Sequence, residues 1–313
     1  MYKEIKKVGI AGAGTMGASM AETFARHSYN VILFDISEDA LEKAMHSIRV
    51  SQRAEVDARM VAQNQSDACI ARICCTTDMR MFADVDLLIE AIVENMEVKR
   101  SFWAEVSKLI DRSALLASNT SGLGISQIAE AIVEPSRFAG MHWMNPPNII
   151  PLIELVRGEK TDLKTLETLR NLCIAIGKKP VVVADVPGFV LNRIQLAVLR
   201  ECLHIVEQGI ASPEDVDAVM KYALGLRYAC LGPFEVVDHG GIDIFHNIAS
   251  YLFADLSDAK ESFGLLKECF ESGRLGVKTQ KGFYDYCDGK DEEAILHRDR
   301  MYTKIVDCLL GDD

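Results

Sequence analysis

Short apolar runs bounded by turn residues recur along the first 185 residues of the chain. The runs read KVGIAGAG, NVILFDI, DLLIEAIVE, ALLASNTS, FAGMHWMN, PLIELVRG and KPVVVADV. Several of them alternate with amphipathic stretches of helical period, at 16–26, 38–50 and 98–110. Because strands that alternate with helices are typical of β-α-β units, the pattern predicts an α/β fold with a doubly wound, mostly parallel sheet.

Two further features of the pattern indicate how the sheet is extended and where a second domain begins. Between 142 and 155, an Asn-Pro-Pro sequence joins two strand-like pieces without a helix, which predicts a hairpin-like addition to the sheet. Beyond Pro187 the runs become long and amphipathic, as in FVLNRIQLAVLRECLHIVEQG, and a helix start occurs at Ser212 and Pro213. We therefore expect two domains, residues 1–186 with the sheet and an all-helical C-terminal domain at 187–313.

Composition and charge narrow the function classes. The net charge of −12 argues against nucleic acid or an anionic membrane as partner, and no apolar run approaches the length of a membrane span. The charged N-terminus leads directly into a strand pattern without the apolar segment of a signal peptide, so we expect a cytoplasmic protein. The nine cysteines include no C-x-x-C pair, so we expect reduced, mostly buried thiols and no metal site.

A glycine pattern of the form G-x-G-x-x-G, made of Gly12, Gly14 and Gly17, follows the first strand. In a Rossmann-like unit the first glycine permits a tight turn, the second lets a pyrophosphate approach, and the third permits helix–strand packing. The start of the following helix, at Thr15 and Met16, would offer N–H donors to phosphate. The pattern therefore predicts a dinucleotide site at this turn.

Asp35 ends the second strand, 18 residues after Gly17. A carboxylate at this point can accept hydrogen bonds from both ribose hydroxyls of the adenosine half, and it would repel a 2′-phosphate. Ile36 and Ser37 follow it and supply no arginine for such a phosphate. The sequence therefore predicts NAD rather than NADP, the alternative being an ordinary β-α turn with an N-capping aspartate.

Polar residues follow several strands, at the carboxyl edge where doubly wound sheets bind ligands. They are Glu94, Asn95, Ser118, Asn119, Thr120, Ser121, His142 and Asn145. Taken singly, each fits a cap or a turn at least as well as a ligand contact. Glu154 changes that balance, because a carboxylate in an apolar strand needs a partner and the Pro-Pro turn would bring it to His142. Such a pair gives a general base near neutral pH.

Eight motifs follow one another along the chain: GAGTMG, IEAIVENMEVKR, SNTSG, MHWMNP, IELV, PGFVLNR, GPFEVVDHGGID and KTQKGFYDY. The order and spacing of these motifs resemble those of the NAD-dependent 3-hydroxyacyl-CoA dehydrogenases, and the resemblance extends over nearly the whole chain. The resemblance implies a Rossmann-like NAD-binding domain and a helical domain for substrate and homodimer contacts. It also implies a place in fatty acid metabolism.

The resemblance further implies roles for individual residues. His142 matches the catalytic base of the family and Glu154 its orienting partner. Ser121 matches the serine that hydrogen-bonds the substrate oxygen, and Asn192 matches an asparagine on the first helix of the second domain. The positions that contact NAD in the family are Asp35, Glu94, Lys99, Asn145 and Lys278.

The substrate is where this chain departs from most acyl-CoA members, which carry two aromatic residues after the histidine. Here Trp143 and Met144 follow it, and Gly122 replaces a common serine. HWMNPPNIIPLIE and LGLRYACLGPFE look closer to branches whose substrates carry no CoA. Examples of such branches are lambda-crystallin, which resembles gulonate dehydrogenase, and the dehydrogenases of pyridine-type alcohols.

Residues after Asp35 that could contact CoA are Ser51 and the arginines Arg49, Arg53 and Arg59, although arginines at such spacing are more typical of a solvated helix face. The leading hypothesis is oxidation of a short-chain (S)-3-hydroxyacyl-CoA, such as 3-hydroxybutyryl-CoA, to the 3-oxo compound. The alternative is the same chemistry on a hydroxy acid without CoA or on a heteroaromatic alcohol or aldehyde.

Two other classes fit the sequence less well. The β-hydroxyacid dehydrogenases place a catalytic lysine on the first helix after the boundary, whereas here the first lysine after Asn192 is Lys221. An NAD-binding protein without turnover has no physical need for an imidazole paired with a carboxylate at the nicotinamide. The set of Ser121, His142, Glu154 and Asn192 therefore favours an enzyme.

Overall fold

The computed structural model describes residues 4–311, and its first part is built around one eight-stranded sheet. The strands are β1 (Lys7–Ala11), β2 (Asn30–Phe34), β3 (Ile73–Thr76), β4 (Leu87–Glu90), β5 (Leu115–Ser118), β6 (Phe138–Trp143), β7 (Leu152–Arg157) and β8 (Lys179–Ala184). Their order in the sheet is β3-β2-β1-β4-β5-β6-β7-β8. The chain thus winds outward in both directions from β1, which confirms the predicted doubly wound α/β fold.

Neighbouring strands run parallel except at one place, the pairing of β6 with β7. These two strands are antiparallel, and His142 on β6 lies directly opposite Glu154 on β7. β8 then pairs in parallel with β7. The hairpin-like addition predicted from the Asn-Pro-Pro sequence is therefore confirmed.

Helices cover both faces of the sheet. They are α1 (Thr15–Arg26), α2 (Glu38–Asp57), α3 (Gln63–Ala71), α4 (Met96–Val106), α5 (Ile125–Ala129) and α6 (Leu163–Ala175), with 3-10 turns at Met79–Asp84 and Pro135–Arg137. Successive side chains of a strand point to opposite faces. On β4, Leu87 and Ile89 accordingly join the core that includes α1 and α6, whereas Leu88 joins the core that includes α4 and α5.

The chain divides into two compact units between Asn192 and Arg193. The helices beyond β8 are α7 (Leu191–Glu207), α8 (Pro213–Val219), α9 (Gly225–Cys230), α10 (Pro233–Gly240), α11 (Ile242–Leu252), α12 (Gly264–Glu271) and α13 (Lys290–Leu310), with a π-helical segment at Met220–Leu224 and a 3-10 turn at Val277–Thr279. Between 193 and 311 the only β pairing is at isolated bridges, which confirms the predicted helical C-terminal region. The domain boundary expected after residue 186 stays a prediction.

The prediction that the cysteines are mostly buried is wrong. Cys69, Cys173 and Cys269 are buried, whereas Cys74, Cys75, Cys230 and Cys308 are exposed. The first two of the exposed residues lie on β3, the edge strand, where one side lacks a neighbouring strand and side chains are covered less completely. In residues 4–311, no helix combines the length and apolarity needed to cross a membrane.

Candidate active site

The glycine turn between β1 and α1 has the backbone that its sequence requires. Gly12 has φ of +104°, and a Cβ there would lie 2.5 Å from the carbonyl oxygen of Ala91. A Cβ on Gly17 would collide with the carbonyl oxygen of Gly12, so the close approach of α1 to the turn depends on this glycine. Around Gly14, by contrast, no atom lies within 4 Å of an added Cβ, which leaves open space next to its backbone.

This open space suits the phosphates of a dinucleotide. Gly14 is the N-cap of α1 and offers no side-chain cap, so the N–H groups of Thr15 and Met16 remain for an anion. Asp35 stands just past β2, where Oδ2 accepts a hydrogen bond from the Ala13 N–H at 2.8 Å and Oδ1 accepts one from the Ser37 N–H at 3.0 Å. Its half-buried carboxylate is thereby fixed at the end of the strand where a ribose is expected.

His142 and Glu154 form a buried pair across the β6–β7 hairpin. The Nδ1 atom of His142 lies 2.9 Å from Oε2 of Glu154, and the two side chains are 6% and 1% exposed. The other oxygen, Oε1, accepts hydrogen bonds from the N–H groups of Val190 at 3.0 Å and Leu191 at 2.9 Å. Because the carboxylate accepts a proton-bearing Nδ1, the pairing leaves Nε2 of the imidazole as the basic nitrogen.

The ring of Phe189 lies beside the imidazole, with 5.7 Å between ring centroids. Phe189 has a positive φ of 49°, an uncommon backbone conformation for a bulky residue. The same turn supplies the two N–H groups that bind Glu154. The segment at 189–191 therefore fixes both members of the pair, one by packing and the other by hydrogen bonds.

Ser121 and Asn192 are linked to each other and to the end of β5. The side-chain amide of Asn192 donates a hydrogen bond to the carbonyl oxygen of Ser121 at 2.6 Å. The N–H of Ser121 donates to Oε1 of Glu94 at 2.9 Å, and the hydroxyl of Thr120 donates to the same oxygen at 2.5 Å. Glu94 thus holds the backbone of the loop that carries the serine.

Lys99 on α4 is fully buried, and its ammonium group pairs with the buried carboxylate of Glu90. A second carboxylate oxygen, Oε2 of Glu94, lies 3.3 Å from the Lys99 nitrogen. Glu90 also accepts hydrogen bonds from the Ser118 hydroxyl at 2.7 Å and from the Trp103 indole N–H at 3.3 Å. Lys99 therefore connects two carboxylates, since its ammonium group pairs with the buried Glu90 and also approaches Glu94.

The remaining predicted site residues are placed as follows. Asn119 accepts a hydrogen bond from the Trp143 N–H at 2.8 Å, which ties the end of β5 to the end of β6. Asn145 is exposed just past β6. Asn95 is the N-cap of α4, where its side chain accepts from the Val98 N–H at 3.1 Å. Lys278 lies in the 3-10 turn of the second unit.

Glu90 is the residue of this cluster that the sequence analysis missed. A signal for it exists, because Glu90 interrupts the apolar run LLIEAIV just as Glu154 interrupts PLIELV. A carboxylate in such a run has to be paired when it is buried, so the same reasoning that found Glu154 applies to Glu90. In residues 4–311, no group of three or more His, Cys, Asp or Glu side chains is arranged to hold a metal ion.

The sheet and the glycine turn are those of a dinucleotide-binding protein. Within that class, the chain belongs to the 3-hydroxyacyl-CoA dehydrogenase family. The model of the family's NAD binding domain matches residues 7–186, and the model of its C-terminal domain matches residues 188–286. The cofactor is accordingly NAD, as predicted, and the chain is an oxidoreductase that acts on CH–OH groups.

Two relatives in sequence carry names of different substrate classes. The 5-formyl-3-hydroxy-2-methylpyridine 4-carboxylate 5-dehydrogenase of Mesorhizobium japonicum is 37% identical over 309 residues, which cover 98% of this chain and 99% of the relative. The 3-hydroxybutyryl-CoA dehydrogenase of Bradyrhizobium diazoefficiens is 37% identical over 291 residues, which cover 93% of this chain and 98% of the relative. Sequence identity alone does not separate the two classes.

Solved structures of the same two substrate classes differ in how closely they match this chain. A 5-formyl-3-hydroxy-2-methylpyridine 4-carboxylic acid 5-dehydrogenase, described as an NAD+-dependent dismutase, matches with a TM-score of 0.91 at 35% identity over 99% of this chain and 100% of its own. The (S)-3-hydroxybutyryl-CoA dehydrogenase from Ralstonia eutropha matches with a TM-score of 0.76 at 32% identity over 91% of this chain and 100% of its own.

Proposed function

We propose that this chain oxidises a secondary or primary alcohol to the carbonyl compound with His142 as the general base. The observation that carries the proposal is the buried pair of His142 and Glu154, with 2.9 Å between Nδ1 and Oε2. A pair of this kind holds the imidazole in one tautomer and stabilises the imidazolium that forms when a proton is taken up. Bound NAD would supply the acceptor for the hydride that leaves the alcohol carbon.

In the oxidative direction, Nε2 of His142 takes the proton of the substrate hydroxyl, and Glu154 stabilises the resulting charge. Ser121 would donate a hydrogen bond to the substrate oxygen and Asn192 would hold the neighbouring group. Their mutual hydrogen bond at 2.6 Å, together with the bond from Ser121 to Glu94, fixes the loop before substrate arrives. In the reductive direction His142 returns the proton.

For the cofactor we propose contacts from the turn at Gly12, Gly14 and Gly17, from Asp35, and from Glu94, Asn145 and Lys278. We propose that Lys99 acts on the cofactor indirectly. Its fully buried ammonium group pairs with Glu90 and approaches Glu94, so that it holds the Glu94 carboxylate in place. These roles rest on family resemblance and on the placement of each side chain.

For the substrate we propose a compound without CoA, namely a hydroxy acid or a heteroaromatic alcohol, or the corresponding aldehyde in the reductive direction. Ser51, the residue that best fits a CoA contact, donates its hydroxyl to Oε1 of the buried Glu22 at 2.9 Å. Arg53 is 85% exposed and lies 3.9 Å from the carboxylate of Asp57. Both residues lie on α2, and with the serine bound internally and the arginine near a carboxylate, this helix offers few free groups to the phosphates of CoA.

The comparisons support the same choice, because the pyridine dehydrogenase matches 99% of this chain at a TM-score of 0.91 and the Ralstonia enzyme 91% at 0.76. The second candidate is a short-chain (S)-3-hydroxyacyl-CoA such as 3-hydroxybutyryl-CoA, which membership of the family favours. That candidate would also place the enzyme in fatty acid metabolism.

NADH formation with a panel of alcohols tests the proposal. The panel contains (S)-3-hydroxybutyryl-CoA, free (S)-3-hydroxybutyrate, other hydroxy acids and pyridine-type alcohols, each with wild type and with an Arg49→Ala/Arg53→Ala double variant. We expect the highest kcat/KM with an alcohol that carries no CoA, and no change in the double variant. A kcat/KM that is highest with the CoA ester and falls in the double variant would establish the second candidate. Absence of NADH with every alcohol would refute the chemistry.

We also propose that the chain forms a homodimer through its helical unit, works in the cytoplasm and has neither nucleic acid nor membrane as partner. Exposed large apolar side chains on α11 support the dimer: Ile242, Ile244, Ile248 and Tyr251 are 65%, 52%, 40% and 66% exposed. Apolar surface of this kind on one helix is typical of a protein interface. The net charge of −12 supports the absence of nucleic acid.

A further inference from the structure

Lys178, which follows α6, is a buried lysine whose ammonium group binds backbone carbonyls. The residue is 6% exposed. Its Nζ atom donates hydrogen bonds to the carbonyl oxygens of Pro147 at 2.6 Å and Ile150 at 2.9 Å. It also lies 5.4 Å from the ring centroid of Trp143, within the range of a cation–π contact. No ion pair joins it to a carboxylate of residues 4–311, although burial of a lone charge is unfavourable.

The backbone around Lys178 is itself fixed. Gly177 has φ of +73° at the end of α6, and the N–H of Lys178 donates to the carbonyl oxygen of Cys173 at 2.8 Å, which closes the helix. The N–H of the next residue, Lys179, donates to the carbonyl oxygen of Pro151 at 2.8 Å. The ammonium group therefore extends from a rigid position.

The segment that Lys178 binds is the 144–151 loop, which connects β6 to β7. Three of its eight residues, Pro146, Pro147 and Pro151, have no N–H to donate. The N–H groups of Ile149 and Ile150 both donate to the carbonyl oxygen of Pro146. The carbonyls of Pro147 and Ile150 point inward instead, and Lys178 joins the two halves of the loop through them.

We propose that Lys178 is a positioning residue that fixes the 144–151 loop and thereby holds Asn145 where the cofactor binds. The loop begins beside the site, because Asn145 is three residues after His142 along the chain. Trp143, the last residue of that strand, packs under the ammonium group. Lys178 thus binds the loop at two carbonyls and contacts the strand end that precedes Asn145. The inference rests on the proposed function, which assigns Asn145 to the cofactor.

Substitution of Lys178→Met tests the proposal, because methionine retains much of the length and none of the donors. Two quantities are measured: hydrogen exchange at the amides of Ile149 and Ile150, and the dissociation constant of NADH. We expect both exchange rate and dissociation constant to rise about tenfold, since hydrogen bonds from a charged group are lost. Lys179→Met is the matched control, because Lys179 is the neighbouring lysine and is exposed. We expect it to resemble wild type in both measurements.

Unchanged exchange in folded Lys178→Met would overturn the inference. Faster exchange with wild-type affinity for NADH would also overturn it, since the lysine would then stabilise the loop without positioning the site. Exchange does not depend on turnover, so a chain that oxidises no alcohol but shows both expected changes would refute the proposed chemistry and leave the role of Lys178 supported. If Lys178→Met does not fold, Lys178→Gln, which keeps N–H donors without the charge, is measured instead. Smaller increases of the same kind support the inference, and wild-type values overturn it.

Discussion

Glu154 and Lys178 are both buried beside the proposed site, and the chain satisfies their charges in different ways. Glu154 shares its two oxygens between an imidazole and two backbone N–H groups. Lys178 has backbone carbonyls and the face of an indole as partners. The first arrangement leaves a nitrogen available for chemistry, and the second holds a loop and the strand end that precedes it.

Substitution of Glu154→Gln tests the tautomer of His142. The amide oxygen can still accept from the Val190 and Leu191 N–H groups, so its NH2 group faces Nδ1 of the imidazole. The proton then moves to Nε2, where it blocks the base. We expect kcat to fall about 10²- to 10⁴-fold with little change in NADH affinity.

Steady-state kinetics and NADH titration measure these effects. Glu167→Gln, at an exposed position of α6, is the control. A kcat within a factor of about two of wild type in Glu154→Gln would contradict the assignment of His142 as base.

The stability of the chain at alkaline pH tests the burial of Lys178. Burial lowers the pKa of Lys178 from 10.5 to about 8, against a smaller opposing effect of Cys173. That thiol stays neutral in this range, because burial raises its pKa to about 12. Between pH 8 and 10.5 the unfolded chain therefore binds more protons than the folded chain, and the free energy of unfolding rises with pH.

Urea unfolding of wild type and Lys178→Met at pH 7.5 and pH 9.5 measures this effect. The stability of wild type relative to the variant should increase by roughly 1–2 kcal/mol between the two conditions. A difference that stays constant would show that the lysine titrates as it does in the unfolded chain.

At the scale of elements, the glycines of the β1–α1 turn have different roles, one in packing and another in ligand binding. Gly17 is required by packing, because an added Cβ meets the Gly12 carbonyl, whereas the space beside Gly14 is open in the chain itself. Gly14 has an ordinary φ of −69°, so alanine fits its backbone. Only a bound ligand therefore requires glycine at this position.

Substitution of Gly14 and of Gly17 by alanine distinguishes the requirement for ligand binding from the requirement for packing. We expect Gly14→Ala to leave the midpoint of thermal unfolding unchanged and to weaken NADH binding about tenfold or more. Gly17→Ala should instead lower the free energy of unfolding by roughly 2 kcal/mol or more, because the core cannot accept the extra atom. Calorimetry and NADH titration measure the two effects. Unchanged NADH affinity in Gly14→Ala would place the pyrophosphate elsewhere.

Elements with a strong local signal could be predicted from the sequence. The hairpin followed from two apolar runs and a Pro-Pro turn, and Glu154 from its position within one of those runs. β3 was missed because its sequence, ICCT, is only four residues long and does not alternate between apolar and polar residues, and because the strand lies at an exposed edge of the sheet. Lys178 gave no signal, since its partners are backbone carbonyls that any sequence supplies, and only the tertiary fold brings them together.

At the scale of the whole molecule, the two units differ in how much of their apolar surface is covered. The sheet has two buried clusters, whereas in the second unit Leu203 and Cys269 are the buried apolar residues within 193–311. A helical unit with so small a buried core would gain stability from association, because burial of apolar area is the main favourable contribution.

Sedimentation equilibrium tests this association. We expect wild type at micromolar concentration to have twice the mass of the chain, and Ile244→Glu on α11 to shift the equilibrium toward monomer, since a buried charge opposes the interface. Ser250→Glu, at an exposed polar position on another face of the same helix, is the control for added charge. A monomeric wild type would refute the homodimer.

The pairing that sets His142 opposite Glu154 bears on how enzymes of this kind diversify. β5 pairs with one strand of the hairpin and β8 with the other, so neighbouring strands on both sides support its register. Lys178 in turn binds main-chain atoms of that connection, which persist whatever side chains replace the present ones. The part of the loop beyond Asn145 can therefore change with the substrate while the acid–base pair and the proposed cofactor contact are kept, and exchange of residues 147–150 between relatives is a route to redesign.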